Sequence, residues 1–190
     1  MKAEFYRQIL SDNVITHGLV KMPKGFEINR KSIKENIVYT NLISKEKAKL
    51  NAYYLPYPRY ASGHNRAIDM LNRFVIEHLN VYFKITLRPV DTWGNVYFPN
   101  DYYNEIKHID PLNLRETPDF VLLYGVDIKD RQSKITFKYD DNRRVSREYW
   151  LPLKTNQFIL FPSTTSYFIN KNKSDDINTV LTITYADESK

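Results

Sequence analysis

The chain has 190 residues and a mass of 22.6 kDa, which is the size of one domain with a sizeable core. Apolar residues make up 42% and charged residues 26%, and no run of 18 apolar residues occurs, which excludes a disordered chain, a fibrous chain and a membrane-spanning helix. Because cysteine is absent, disulfides, thiol nucleophiles and thiolate metal sites are excluded, and the charged start lacks the apolar stretch of a secretory signal, so we expect an intracellular protein.

Residues 1–60 carry the whole net charge of +6, because they hold 11 basic and five acidic residues while the rest of the chain holds 17 of each. Basic and aromatic side chains are interleaved near the end of this segment, at Lys45, Lys47, Lys49, Tyr53, Tyr54, Tyr57, Arg59 and Tyr60. Such a segment could bind a phosphate backbone by counterion release and base stacking. No nucleic-acid-binding motif accompanies it, so docking on another protein surface is the favoured interpretation. We predict that 1–60 is a basic, tyrosine-rich extension, or arm, with one or two edge strands.

Residues 62–80 repeat apolar side chains at helical spacing. The members of this stripe are Ile68, Leu71, Phe74, Val75, His78 and Leu79. The pattern predicts an amphipathic helix that begins at Ser62 as N-cap, ends near Asn80 and packs on a sheet. His78 has no neighbours at metal-ligand spacing, so we interpret it as a residue at the edge of the core.

From residue 81 onward the period changes to alternation, with β-branched and aromatic residues in short segments separated by turn residues. The predicted strands are 81–87, 92–98, 119–128, 133–139, 147–151, 157–161, 166–169 and 179–185. The last of these alternates so that one face is buried and the other mixed. A helix followed by about eight short strands indicates a mainly β fold, a jelly roll over 61–190 with the helix packed outside one sheet.

Several tracts of the sequence resemble a known family. They are 90–97, 101–103, 108–111 and 120–124, followed by 157–163, 170–175 and 180–184. In their order, their spacing and the motifs His108-Ile-Asp110-Pro111 and Phe161-Pro-Ser163, they resemble the double-stranded β-helix of iron(II)/2-oxoglutarate dioxygenases. The resemblance is greatest to the short prolyl-hydroxylase-like members common in tailed phages, and it covers about residues 65–186.

The resemblance implies a facial iron site made of His-x-Asp and a later histidine. His108 and Asp110 match the first pair, and two residues that lie two apart on a strand share a face. Where the family has its distal histidine this chain has Tyr167, and a neutral phenol is a poor ligand for iron(II). Where the family has a basic anchor for 2-oxoglutarate this chain has Asn178 and Thr179, which carry no charge. We interpret these three positions as degenerate.

The missing histidine and the missing anchor together predict a fold that has kept its sheets and lost its chemistry. The leading hypothesis is a non-catalytic virion component of a tailed phage, in the neck, tail or baseplate, without a cofactor. Its expected partners are other virion or assembly proteins in an oligomer, reached through the arm, with no membrane and with assembly in the host cytoplasm. The alternative is an iron(II)/2-oxoglutarate-dependent hydroxylase that uses His108, Asp110 and an unrecognised third ligand. The third hypothesis is a nucleic-acid-binding protein that binds through the arm.

Overall fold

The computed structural model describes residues 13–43, 52–55, 65–102, 104–109, 117–141 and 145–189, and for residues 42, 43 and 52–55 it describes the backbone only. These ranges contain two helices and nine strands. In chain order they are β1 (Thr16–Leu19), α1 (Arg30–Ile43), β2 (Ala52–Leu55), α2 (Arg66–Phe83), β3 (Leu87–Tyr97), β4 (Phe120–Asp127), β5 (Lys134–Tyr139), β6 (Arg147–Pro152), β7 (Gln157–Pro162), β8 (Ser166–Ile169) and β9 (Asn178–Asp187).

Six strands form one antiparallel sheet in the order β1-β7-β4-β9-β3-β2. Strand β9 lies near the centre of this sheet, and all of its residues from 178 to 185 are buried. The expected mixed face of 179–185 is therefore wrong, because the helices cover one face of the strand and a second sheet covers the other. A strand covered on both faces has no solvent side to keep polar.

Three strands form the second sheet in the order β6-β5-β8. A single antiparallel bridge between Ile106 and Tyr167 adds the segment 104–109 beside β8. The apolar layer between the two sheets, called here the inter-sheet core, consists of Tyr97, Val121, Leu123, Ile135, Phe137, Leu151, Leu153, Ile159, Phe161, Tyr167, Ile169 and Val180. Two facing antiparallel sheets confirm the predicted mainly β fold.

Helix α2 packs on the outer face of the six-stranded sheet, as its apolar stripe predicts. It begins after Asn65, whose side-chain oxygen accepts a hydrogen bond from the backbone N–H of Ala67 at 3.0 Å, and not at Ser62. It continues to Phe83, so the predicted strand 81–87 is wrong over its first half. Residues 81–83 are apolar but exposed, and the helix ends at Lys84 in the left-handed conformation.

Helix α1 packs on the same outer face and was not predicted. Its residues Ile33 and Ile37 are fully buried in the apolar layer between the helices and the sheet, called here the helix-side core. Gly94 of β3 makes room for it, because a Cβ at that position would lie 2.3 Å from an Ile37 side-chain atom. The described part of 1–60 thus differs from the predicted extension in contributing a buried helix as well as both edge strands, β1 and β2.

The other predicted strands agree with the structure to within a few residues at each end, except for 92–98, whose strand begins at Leu87. No helix in the described part of the chain is long and apolar enough to cross a membrane.

Candidate metal centre

The segment 104–109 and strand β8 bring His108 and Tyr167 together. The backbone N–H of Ile106 donates to the carbonyl oxygen of Tyr167 at 2.8 Å, and the N–H of Tyr167 donates to the carbonyl of Ile106 at 3.0 Å. This places Ile106 directly opposite Tyr167. His108, two residues further on, is the diagonal neighbour of Tyr167 on the same face, which long aromatic side chains can reach.

The side chains of His108 and Tyr167 are in direct contact. Nε2 of His108 lies 3.0 Å from the hydroxyl oxygen of Tyr167 and is hydrogen-bonded to it. The two rings are nearly parallel, with centroids 5.7 Å apart. The contact therefore pairs an imidazole nitrogen with a phenol oxygen at the inner face of the second sheet.

Aromatic rings hold this pair in place. The ring of Tyr167, only 3% exposed, packs edge-on against Phe161 with centroids 5.0 Å apart and lies 6.5 Å from Phe137. On the other side His108 lies 5.4 Å from the Trp93 ring of β3. His108 and Trp93 are half-buried, so the site is closed on the side of the inter-sheet core and partly open at Trp93.

Burial sets the charge state of both groups. It lowers the pKa of His108 to about 4, so the imidazole is neutral at physiological pH. It also raises the pKa of the Tyr167 phenol far above its usual value, so an isolated phenol there keeps its proton. A neutral imidazole is the form that binds metals.

A neutral polar pair lies beside Trp93 on the inner face of the six-stranded sheet. Nδ2 of Asn95 donates a hydrogen bond to Oγ1 of Thr182 at 2.8 Å. Thr182 stands opposite Trp93 across the β3–β9 ladder, and Thr182 is fully buried. Sequence analysis did not identify Asn95 and Thr182, although alternation in 92–98 places Trp93 and Asn95 on one face.

The described residues give only part of an iron ligand set. Within the described ranges, no three His, Cys, Asp or Glu side chains come close enough together to hold a metal ion. Asp110, the predicted partner of His108, lies outside these ranges, so its role stays a prediction.

The two uncharged residues that stand where the family has its oxoacid anchor, Asn178 and Thr179, make other contacts in the structure or face away from the site. Oδ1 of Asn178 accepts hydrogen bonds from the backbone N–H groups of Lys129 and Asp130, and its Nδ2 donates to Ser133, so this side chain fastens the β4–β5 turn. Thr179 stands opposite Val96, a member of the helix-side core, and so faces away from the inter-sheet core.

The remaining predicted residues lie away from this centre. His78 is exposed on α2, with Nδ1 2.7 Å from the carbonyl oxygen of Phe74 and its ring packed beside the buried Phe74 ring at the edge of the core. The backbone of Tyr53 and Tyr54 pairs with β3 of the same chain. The side chains of the eight basic and aromatic residues predicted at 45–60 lie outside the described residues, so binding of nucleic acid or other proteins through the arm stays a prediction.

The sequence matches no protein-family profile and no curated protein. Solved structures do match its fold. A viral collagen prolyl hydroxylase from Paramecium bursaria Chlorella virus-1, in complex with 2-oxoglutarate, is 12% identical with a TM-score of 0.59, over 90% of this chain and 96% of that one. A Pseudomonas putida prolyl-4-hydroxylase is 7% identical with a TM-score of 0.55, over 90% and 92%.

A third matching structure is the non-heme alpha-ketoglutarate-dependent carbocyclase SnoK from nogalamycin biosynthesis, which is 10% identical with a TM-score of 0.55, over 90% of this chain and 78% of that one. These likenesses are ones of fold. They confirm that the two sheets form the predicted double-stranded β-helix.

The same matches contradict two predictions made from the sequence, the non-catalytic assembly role and the absence of a cofactor. The matched proteins are named as hydroxylases or as an alpha-ketoglutarate-dependent enzyme, and one is bound to 2-oxoglutarate. The comparisons give no support for a phage origin, for a virion location or for a neck, tail or baseplate part. The interpretation of Tyr167 as a degenerate position stays a prediction, and its hydroxyl oxygen lies 3.0 Å from Nε2 of His108.

Proposed function

We propose that this protein is an iron(II)/2-oxoglutarate-dependent oxygenase, a hydroxylase in its simplest form, that holds iron between its two sheets. The observation that carries the proposal is His108, a half-buried neutral imidazole at the inner face of a double-stranded β-helix. The enzymes that match this fold support it, because two are named as prolyl hydroxylases and one as a non-heme alpha-ketoglutarate-dependent carbocyclase.

Nε2 of His108 and the carboxylate of Asp110 are the proposed ligands. An imidazole with a lowered pKa binds a cation without first losing a proton. The His-x-Asp spacing suits facial chelation, in which two protein ligands and a third leave open positions on an octahedral iron. Iron therefore suits the donors that the chain offers here.

The fit to 2-oxoglutarate is looser. Among the buried residues of the described ranges there is no lysine or arginine to pair with its far carboxylate. Asn95 and Thr182, beside Trp93 on the inner face of the six-stranded sheet, offer a neutral alternative, because an amide N–H and a hydroxyl both donate to carboxylates. We expect 2-oxoglutarate to bind more weakly than it would to a charged anchor.

When bound together, iron(II) and 2-oxoglutarate would supply the activation of dioxygen for C–H hydroxylation. The chain's own residues would hold iron(II) and 2-oxoglutarate in position and would exclude water from the site. Phe137 and Phe161, both fully buried, close the inner side of the site, while the half-buried Trp93 forms the wall at the side open to solvent. A dry inner wall also strengthens the attraction between ligands and cation.

An anaerobic titration of the full-length protein with iron(II) and millimolar 2-oxoglutarate tests the proposal. We expect a visible metal-to-ligand charge-transfer band, and under air a slow conversion of 2-oxoglutarate to succinate. His108→Ala and Asp110→Ala should each lower iron affinity at least about tenfold.

His78→Ala is the matched control. It removes an imidazole from helix α2, which lies on the outer side of the six-stranded sheet, and should leave the band unchanged. A wild-type protein without the band at millimolar 2-oxoglutarate, or a band that survives His108→Ala, would overturn the proposed function.

A further inference from the structure

Tyr167 is the only described side chain that presents a polar atom to Nε2 of His108. Two other buried tyrosine hydroxyls contact carboxamide oxygens: Tyr185 donates to Oδ1 of Asn72, and Tyr124 to Oδ1 of Asn156. An amide oxygen can only accept that proton. The partner of Tyr167 is instead a nitrogen with a lone pair, the kind of atom that shares a metal with oxygen donors.

The distance between the two atoms fits a shared ion as well as a hydrogen bond. Two ligands at right angles on an octahedral ion, each about 2.1 Å from it, lie about 3.0 Å apart. Nε2 of His108 and the hydroxyl oxygen of Tyr167 are 3.0 Å apart. An ion about 2.1 Å from each atom would thus leave the distance between them unchanged.

The surroundings fix the phenol oxygen at this point. The Tyr167 ring is packed against Phe161, and the backbone of Tyr167 is hydrogen-bonded to Ile106 on one side and stands opposite Phe137 of β5 on the other. A ring held in this way loses little conformational freedom when its oxygen binds a metal. Phenylalanine would serve ring packing equally well, so what the hydroxyl adds is its contact with Nε2 of His108.

Burial opposes an isolated phenolate but favours one beside a cation. In a site of low dielectric the cation is the largest local charge and reverses the usual preference for the protonated form. Tyrosine is an established protein ligand of iron in haem proteins. On binding, the phenol O–H bond breaks, the oxygen–iron bond forms and the proton passes to solvent.

We propose that Tyr167, as a phenolate, is a protein ligand of the iron beside His108. This inference rests on the proposed function. A hard, anionic oxygen ligand favours iron(III) over iron(II) more than an imidazole does. We therefore expect the resting protein to oxidise readily and to be coloured by charge transfer from the phenolate to iron(III).

The test uses full-length protein loaded with iron(II) without air and then oxidised by ferricyanide, which accepts one electron from each iron. Wild type should show a visible charge-transfer band whose resonance Raman spectrum contains phenolate ring modes. Tyr167→Phe should lose these modes and bind iron(II) at least about tenfold more weakly. Tyr167→His should also lose the modes but keep iron(II) affinity within about threefold of wild type.

Tyr185→Phe is the matched control, since it removes a buried tyrosine hydroxyl from the helix-side core, on the outer face of the six-stranded sheet, and should change neither spectrum nor affinity. The phenolate modes are measured on the wild-type protein. The test therefore remains valid even if the Tyr167→Phe variant fails to fold. Iron that binds through His108 without phenolate modes in the wild type would overturn the inference and leave the proposed function standing. Failure of the wild type to bind iron would overturn both.

Discussion

Both core layers of the molecule bury tyrosines, and the hydroxyl partners of Tyr185 in one layer and Tyr167 in the other differ. In the helix-side core, Tyr185 of β9 donates to the Asn72 amide of α2, and both residues are at most 2% exposed. In the inter-sheet core, Tyr167 contacts His108, which is half-buried beside Trp93. The first pair joins a helix to the sheet, and the second lies where the core opens toward solvent. Burial alone does not distinguish structure from chemistry, whereas the partner of the buried polar atom does.

The closed helix-side core and the partly open inter-sheet site should respond differently to mutation. The helix-side core depends on filled volume, so its variants should change stability and leave iron binding unaffected. The inter-sheet site depends on the donor atoms of His108 and Tyr167, so its variants should change binding and pH dependence. Three measurements would separate these two behaviours.

The largest effect should come from Ile37→Ala in α1. Ile37 is fully buried against Gly94, and the substitution leaves a cavity there. We expect the free energy of unfolding in urea to fall by about 3 kcal/mol, with iron affinity per folded molecule unchanged. A loss below about 1 kcal/mol would show that α1 is loosely attached, as an extension would be.

The strands of the two sheets could be predicted from the sequence, whereas helix α1 could not. The alternating strands from 120 to 185 were recognisable because their buried residues follow the two-residue period. Helix α1 was missed because its fully buried residues, Ile33 and Ile37, mark only one turn of a helical stripe, and the run 37–39 is apolar enough to resemble a strand. The end of α2 was missed for the converse reason, since Val81, Tyr82 and Phe83 are typical strand residues yet lie exposed on a helix.

The site was predicted in part. The resemblance identified His108 and Tyr167 separately, but their contact depends on the bridge from Ile106 to Tyr167, a pairing across 61 positions that no local pattern encodes. The resemblance aligned Asn178 with the position of the family's anchor. Nothing in the sequence shows that its amide is taken up by the β4–β5 turn. Long-range pairing and side-chain partners are the parts of a site that local periodicity leaves open.

The second prediction concerns pH and the metal-free protein. The folded-state pKa of His108 is lowered to about 4 by burial, below the value of about 6.5 for an unfolded chain. Between these values the unfolded state binds more protons, so stability rises with pH and falls as the pH drops from 7 toward 4. At about 1.4 kcal/mol for each pH unit, reduced for partial exposure, we expect a loss of about 2 kcal/mol at pH 4.5.

Urea unfolding of wild type and His108→Asn at pH 7 and pH 4.5 measures this effect. Other groups titrate in the same range, so the relevant quantity is the difference between the two proteins. The variant should lose about 2 kcal/mol less than the wild type between the two pH values. Equal losses would mean that the imidazole of His108 is solvated in the folded protein, contrary to a site enclosed by Trp93 and Tyr167.

The smallest effect should come from the ion pair that ties α1 to β4. Nζ of Lys34 lies 2.7 Å from Oδ2 of Asp127, and Nζ of Lys129 lies 3.3 Å from Oδ1 of the same carboxylate. Burial by itself raises the pKa of Asp127, but the hydrogen bonds and charges of the two lysines outweigh it and hold the pKa below its usual value. Because Lys129 remains, Lys34→Met should lower the free energy of unfolding by less than about 1 kcal/mol.

Lys31→Met is the matched control for Lys34→Met, since Lys31 contacts Glu35 at 3.9 Å with both side chains largely exposed and should contribute nothing measurable. The loss in Lys34→Met should also shrink in high salt, whereas the loss in Ile37→Ala should not, because salt screens charges and leaves cavities unchanged. If Lys34→Met destabilised the protein more than Ile37→Ala, charge and not packing would hold α1 on the sheet. The helix-side core would then depend, like the inter-sheet site, on a few polar atoms, and the contrast between the two layers would fail.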